Sequence, residues 1–259
     1  MSLNQKIQHF QDKKVWLIGA SSGIGYSLTH SLLKEGAQVA MSARRIDKIK
    51  AIQGLYPTSQ SLTLECDVCS DTSLKQAYQT LRDTWGSIDL LIYVAGIYEP
   101  MRAENFNLDS AKNIISTNLI GAMSACSLVM PELIKKSSGG IAIVSSVAGY
   151  SGLPKALAYG PSKAALINFC ENLYYDLSPL GINVYMINPG FVETEATAKN
   201  DFYMPALISS ELAAQEILSG MKAGQFDIHF PKRFSRFLKF LRILPYPIYF
   251  YLLKKTLKI

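Results

Sequence analysis

At 259 residues, 49% of them hydrophobic, the chain is long enough for one sizeable α/β core and shows no linker or repeat to suggest a second domain. Its net charge of +6 comes with no nucleic-acid recognition module, so nucleic acid is not an expected partner. Four cysteines suit a reduced, cytoplasmic chain, the opening MSLNQKIQHFQDKK lacks the apolar stretch of a secretory signal, and no apolar run is long enough to predict a membrane span.

Val15 to Ile18 is an apolar, β-rich run suited to a buried parallel strand. Gly19, Gly23 and Gly25 follow, and an amphipathic stretch from Tyr26 to Lys34 predicts a helix. Strand, tight turn and helix N-terminus together make an anion site. Glycine lets the backbone approach a pyrophosphate, and the first helical N–H groups and the dipole face it. Ser21 and Ser22 add hydroxyl donors. The next run, Gln38 to Ser42, predicts the second strand. A dinucleotide fold that prefers NAD usually carries an acid at the end of that strand, but here Ala43 is followed by Arg44 and Arg45. With no carboxylate to repel a 2′-phosphate and two guanidiniums to grip it, NADP(H) is the expected cofactor. Alternatively, the arginines simply cap the strand on a solvated surface.

Further strand-like runs are SLTLE, IDLLIYVAG, GIAIVSS, INVYMIN and FDIHF, each separated by helix-like sequence. About seven strands in this alternation predict a doubly wound parallel sheet with helices on both faces, within one domain spanning 1–259. The ligand crevice is then at the carboxyl ends of the strands. Tyr159 and Lys163 share one face of a predicted helix, about one turn apart. An ammonium beside a phenol should lower the tyrosine pKa toward neutral, so that the side chain can exchange protons with a carbonyl or alcohol. Taken alone, that spacing also arises in ordinary surface pairs.

Several motifs together carry a resemblance. Gly19-Ala-Ser-Ser-Gly23-Ile24-Gly25 is similar to a Thr-Gly-x-x-x-Gly-x-Gly turn, and Asp67-Val68 to the pair that meets an adenine ring. Asp89 to Ala95-Gly96 is similar to a strand ending Asn-Asn-Ala-Gly, and Asn118 to a helix asparagine that holds a proton-relay water. Ser146 stands thirteen residues before Tyr159, and Pro189-Gly190, with Val192 and Thr194, is similar to a segment that covers a nicotinamide. On these residues the chain resembles the short-chain dehydrogenase/reductase family over roughly residues 12–225.

The resemblance implies a Rossmann-type fold and an NADP(H)-dependent oxidoreductase that interconverts a carbonyl and a secondary alcohol; a hydrophobic, lipid-like substrate is the expectation from residues 191–209 and the basic tail. Ser146 and Tyr159 would hold the substrate oxygen, Tyr159 would supply the proton, Lys163 would hold the nicotinamide ribose and tune Tyr159, and Asn118 would pass protons on. A homodimer or homotetramer is implied as well. The rival expectation is a non-catalytic nucleotide-binding or scaffold protein of the same fold. The chain departs from the pattern at Ile18 and at Tyr93-Val94, which replace the motif's threonine and asparagine pair.

Residues 191–209 predict a substrate lid in which Phe191, Phe202, Tyr203, Met204 and Leu207 line an apolar pocket. Residues 230–259 form an amphipathic extension. From residue 228 onward lie eight of the 26 basic residues and none of the 20 acidic ones. Phe234, Phe237, Leu238, Leu241 and Leu244 recur there at helical spacing, with Pro245 and Pro247 breaking the pattern. Such a tail predicts peripheral contact with an anionic membrane surface; packing on a second subunit or on the chain's own core are the alternatives. Cys66 and Cys69 have C-x-x-C spacing without a second pair, so no metal is expected.

Overall fold

The computed structural model describes residues 2–195, 197–199 and 204–257. Seven strands form one sheet: β1 (Lys14–Ile18), β2 (Gln38–Ala43), β3 (Ser61–Glu65), β4 (Leu90–Tyr93), β5 (Gly140–Val144), β6 (Asn183–Pro189) and β7 (Asp227–Phe230). Their order is β3-β2-β1-β4-β5-β6-β7, and every neighbouring pair is parallel. The winding direction reverses between β1 and β4, where Val15 lies opposite Leu90, and this switch point opens a crevice at the carboxyl ends of the strands.

Alternation along the strands divides the core. Val15 and Leu17 point to one face, with Leu28, Val39, Ile92 and Ile217; Trp16 and Ile18 point to the other, with Leu91, Tyr93, Leu133 and Leu166. The first face is covered by α1 (Gly23–Lys34), α2 (Ile46–Gln53) and α7 (Ser210–Lys222). The second is covered by α3 (Asp71–Trp85), α5 (Gly121–Lys136) and α6 (Tyr159–Leu177). The N-terminal segment is also tied down, because Asn4 donates to Val184 O at 2.7 Å and accepts from Val184 N at 3.1 Å.

A π turn, Ser116–Ile120, joins α4 (Leu108–Ile115) to α5, so that 108–136 is one continuous helix. By length and composition alone it could cross a membrane, although charged and polar residues interrupt its apolar sequence. Its Ala122, Cys126, Val129 and Leu133 are buried against the sheet, as in a core helix. Tyr93 braces this junction: its hydroxyl donates to Thr117 O at 2.5 Å, across the face where a Cβ on Gly121 would lie 2.5 Å from the phenol oxygen. The replaced asparagine pair thus has a substitute of its own, reaching from β4 to the π turn.

The tail forms α8 (Lys232–Arg242) and α9 (Tyr246–Leu257), and Pro247 is accommodated in the first turn of α9. Leu238, Leu241, Tyr249 and Leu253 are buried in the same core as α5 and α6. At roughly 1.5–3 kcal/mol for each large side chain buried, these contacts hold the tail on its own domain. Tyr249 also donates to Gly152 O at 2.6 Å, and Lys239 pairs with Asp227. Of the expectations for the tail, own-core packing therefore accounts for its inner face.

Candidate active site

The first turn is built by close approach. Gly19 has φ +99°, and a Cβ there would lie 2.5 Å from Ala95 N, so only glycine lets β1 end against the chain leaving β4. A Cβ on Gly25 would lie 2.1 Å from Gly19 O; Gly25 packs helix against turn and does not line the cavity. The caps of α3, α4 and α7 (Ser70, Asn107 and Ser209) each accept from a backbone N–H, whereas Ser22 before α1 makes no such bond. The α1 N-terminus therefore faces the crevice with its donors uncapped, as a phosphate site requires.

Arg45 sits beside this turn. Its Nη2 donates to Ser22 Oγ at 2.8 Å and Ser21 Oγ at 3.1 Å, and its Nη1 pairs with Glu195 at 2.7 Å. Lys48 Nζ pairs with the other oxygen of Glu195 at 2.5 Å. These two cations hold the exposed carboxyl of Glu195 down to about 2, Lys48 most strongly. Arg44 lines both the main cavity and a smaller hollow shared with Glu65, Asp67, Ser73 and Gln76. Lys48 and Glu195 were not singled out from the sequence. The signal for Lys48 was its place three residues after Arg45, on the same side of α2; Glu195 reaches the pair only through tertiary packing.

The main cavity, of about 1110 Å³, runs from the glycine turn to the N-terminus of α6. Gly19, Ser21, Ser22, Gly23, Ile24 and both arginines line it, as do Val68, Ala95 and Gly96. Ser146, Tyr159 and Lys163 line it too, with Pro189, Gly190, Val192 and Thr194. Asp67 and Asn118 do not line it. Asp67 faces the smaller hollow, and its Oδ1 accepts from Cys69 N at 3.0 Å. Asn118 is buried behind the wall: its Oδ1 accepts from Ile97 N at 2.8 Å, and its Nδ2 donates to Ile97 O at 3.1 Å and Ser162 Oγ at 3.0 Å. It clamps the chain after β4 to α6.

Tyr159 and Ser146 both line the cavity, Ser146 Oγ accepting from Ala148 N at 3.1 Å, and the Tyr98 ring, which the sequence did not mark, packs edge-on against Tyr159 at 5.0 Å. Burial pushes the Tyr159 pKa up to about 12; the nearby Ser146 side chain opposes the shift and Tyr98 adds to it. The expectation that Lys163 draws this phenol toward neutrality is corrected here. Lys163 Nζ lies 5.6 Å from the ring centroid and donates to Val144 O at 2.9 Å, so its ammonium is committed to β5. Burial in turn pulls the Lys163 pKa down to about 8.

The remaining wall is apolar and belongs partly to the tail. Phe234, Leu238 and Leu253 line the cavity, and Phe234 packs against Phe191 with centroids 5.9 Å apart. Among the predicted lid residues, Phe191 lines the cavity, Met204 and Leu207 do not, and Phe202 and Tyr203 lie outside the described residues. The four cysteines are unbridged, with Cys66 buried and Cys69 exposed.

Residues 13–202 match the family model described as short chain dehydrogenase. An uncharacterized oxidoreductase of Myxococcus xanthus is 32% identical over 233 residues, covering 89% of this chain and 92% of its own. Carbonyl reductase family member 4 of Xenopus tropicalis is 27% identical over 181 residues, 70% of this chain and 76% of that one. A solved short chain dehydrogenase from Burkholderia cenocepacia J2315, in complex with NADP, shares the fold with a TM-score of 0.80 at 22% identity, over 91% of this chain and 94% of its own.

Proposed function

The chain belongs to the short-chain dehydrogenase family of NAD(P)-dependent oxidoreductases, and from that premise we propose that it uses NADPH to reduce the carbonyl of an apolar, lipid-like substrate. The observation that carries this reading is that Ser146, Tyr159 and Lys163 line the same largely apolar cavity as a glycine turn flanked by Arg44 and Arg45.

The residues fit a dinucleotide: Gly19, Ser21, Ser22 and Gly23 of the turn line the cavity, its glycines allow a packing that a Cβ would block, and the α1 donors are uncapped. Arg44 and Arg45 would hold a 2′-phosphate, with Lys48 joined to Arg45 through Glu195; Val68, Ala95 and Gly96 would meet the middle of the cofactor, and Lys163 its nicotinamide ribose. Bound NADPH supplies a hydride equivalent to the substrate carbon. Ser146 and Tyr159 donate hydrogen bonds to the substrate oxygen, and Tyr159 gives it a proton. The buried phenol of Tyr159 keeps its proton at neutral pH and so has one to give. A Cβ on Gly96 would have both Asn118 Oδ1 and Lys163 Nζ within 3.4 Å, so the two groups lie behind one stretch of chain, where Lys163 and a water held by Asn118 would carry protons onward.

The tail supports the lipid-like substrate and a peripheral location on a membrane surface. While α8 and α9 turn Leu238 and Leu253 inward, Phe240, Ile243, Tyr246, Phe250 and Tyr251 are exposed beside Arg233, Arg236, Arg242, Lys254 and Lys255. No acid lies on this stretch, so an anionic bilayer surface is the complementary partner. It would present the tail-lined cavity to lipid. A homodimer or homotetramer is the expected assembly.

The test is a panel of aliphatic, steroid and acyl-thioester ketones, followed by nicotinamide absorbance with NADPH and with NADH. Turnover of apolar ketones with NADPH at least about tenfold more efficient than with NADH is expected, the scale of one charge-assisted contact to the phosphate. Equal efficiency would overturn the cofactor assignment, and turnover confined to small polar carbonyls would overturn the substrate class.

A further inference from the structure

Resting on the reading of Arg44 and Arg45 as a phosphate site, to which Glu195 joins Lys48, we propose that Glu195 is a built-in competitor for the cofactor's 2′-phosphate, a stand-in anion that the phosphate displaces. The carboxylate already occupies the site in the manner of a phosphate. Each oxygen has its own cation, Oε2 with Arg45 Nη1 at 2.7 Å and Oε1 with Lys48 Nζ at 2.5 Å. The other arm of the same guanidinium is tied to the glycine turn through Ser22 and Ser21. A phosphate there would meet two cations and two hydroxyls, one more charge-assisted contact set than a cofactor lacking it.

Backbone packing, and not chance reach, carries Glu195 to this position. Val192 pairs with Ile208, and Glu193 N donates to Ile208 O at 2.9 Å, which fixes the base of the segment. Thr194 then lies on the turn itself, since a Cβ added to Gly23 would come within 2.7 Å of Thr194 Cγ2. The next residue is delivered over Arg45 and Lys48. Its carboxyl, held down to about 2, remains an anion throughout the neutral range. The side chains of Arg45 and Lys48 are each 46% exposed and that of Glu195 56%, so the pairs are screened and individually weak. A phosphate of charge about −1.5 to −2 prevails over the carboxylate, but binds less tightly than the cations alone would permit. A cofactor without the phosphate leaves Glu195 in place. Glu195 therefore tunes the selectivity between the two cofactors without touching the reacting atoms.

Calorimetric titration of 2′,5′-ADP and 5′-AMP, and then of NADPH and NADH, into wild type and Glu195→Gln tests this. The variant is expected to bind 2′,5′-ADP and NADPH roughly three- to tenfold more tightly, the scale of two exposed ion pairs, with 5′-AMP and NADH unchanged. The gain should shrink as salt rises. Unchanged 2′,5′-ADP binding in the variant would overturn the proposal, as would an equal gain for all four ligands, which marks Glu195 as a general cover. If wild type binds 2′,5′-ADP no better than 5′-AMP, the phosphate-site reading fails and the proposal falls with it, a result distinguished by appearing before any substitution is made.

Discussion

Lys163 is 3% exposed, and its ammonium donates to Val144 O, so burial lowers its pKa from 10.5 to about 8. The folded-state value lies below the unfolded one, which means that between about 8 and 10.5 the unfolded chain binds more protons than the folded one. Stability from this group therefore rises with pH across that interval, and below about 8 the full cost of burying the cation is present. Lys163→Met is expected to lose turnover, and its stability relative to wild type is expected to fall by on the order of 3 kcal/mol as pH rises from about 8 to about 10.5. Thermal unfolding of both proteins across that range checks this; a stability difference that does not change with pH would show that burial does not shift the titration of Lys163. At this scale the sequence was legible where residues share one helix face or one turn, as Tyr159 and Lys163 do. It was opaque where the meeting is tertiary. Tyr98 packing on Tyr159, Glu195 crossing to α2 and the turning of Lys163 Nζ to β5 follow from how segments distant in sequence are laid together.

At the scale of elements, the tail shows what an amphipathic pattern can and cannot say. The apolar spacing of Phe234, Leu238 and Leu241 marked a helix with one buried face, and that face packs on the domain's own core. The pattern did not show that the outer face stays apolar as well, with Ile243 and Tyr246 each 76% exposed. Sedimentation with vesicles tests what covers it. Full-length protein is expected to pellet with anionic and not neutral vesicles, less so at high salt, since basic residues near an anionic surface contribute about 1 kcal/mol each. Exchanging Arg233, Arg236 and Arg242 for glutamine should abolish pelleting and leave turnover of a water-soluble ketone intact. If the protein ignores anionic vesicles and Ile243→Asp with Tyr246→Asp instead lowers its oligomeric mass, the face is an intersubunit arm. Tyr93 was legible only as a departure; its bond to Thr117 O explains how β4 and the π turn stay joined without the asparagine pair.

For the molecule as a whole, alternating strand and helix runs made the seven-stranded doubly wound fold readable, because parallel strands buried on both faces are continuously apolar. The runs did not show that α8 and α9 close the cavity, since that depends on the far end of the chain returning to the switch point. Fold, cavity and proton donor meet in one claim, that Tyr159 is the acid of an NADPH-dependent carbonyl reduction. Single-turnover reduction of an accepted apolar ketone by wild type and Tyr159→Phe, with NADPH binding followed by fluorescence on the same samples, tests that claim most directly. The variant is expected to bind NADPH as wild type does and to lose turnover by roughly a hundred- to ten-thousandfold, the contribution of a positioned general acid. A variant that binds NADPH and reduces the ketone at the wild-type rate would contradict the account.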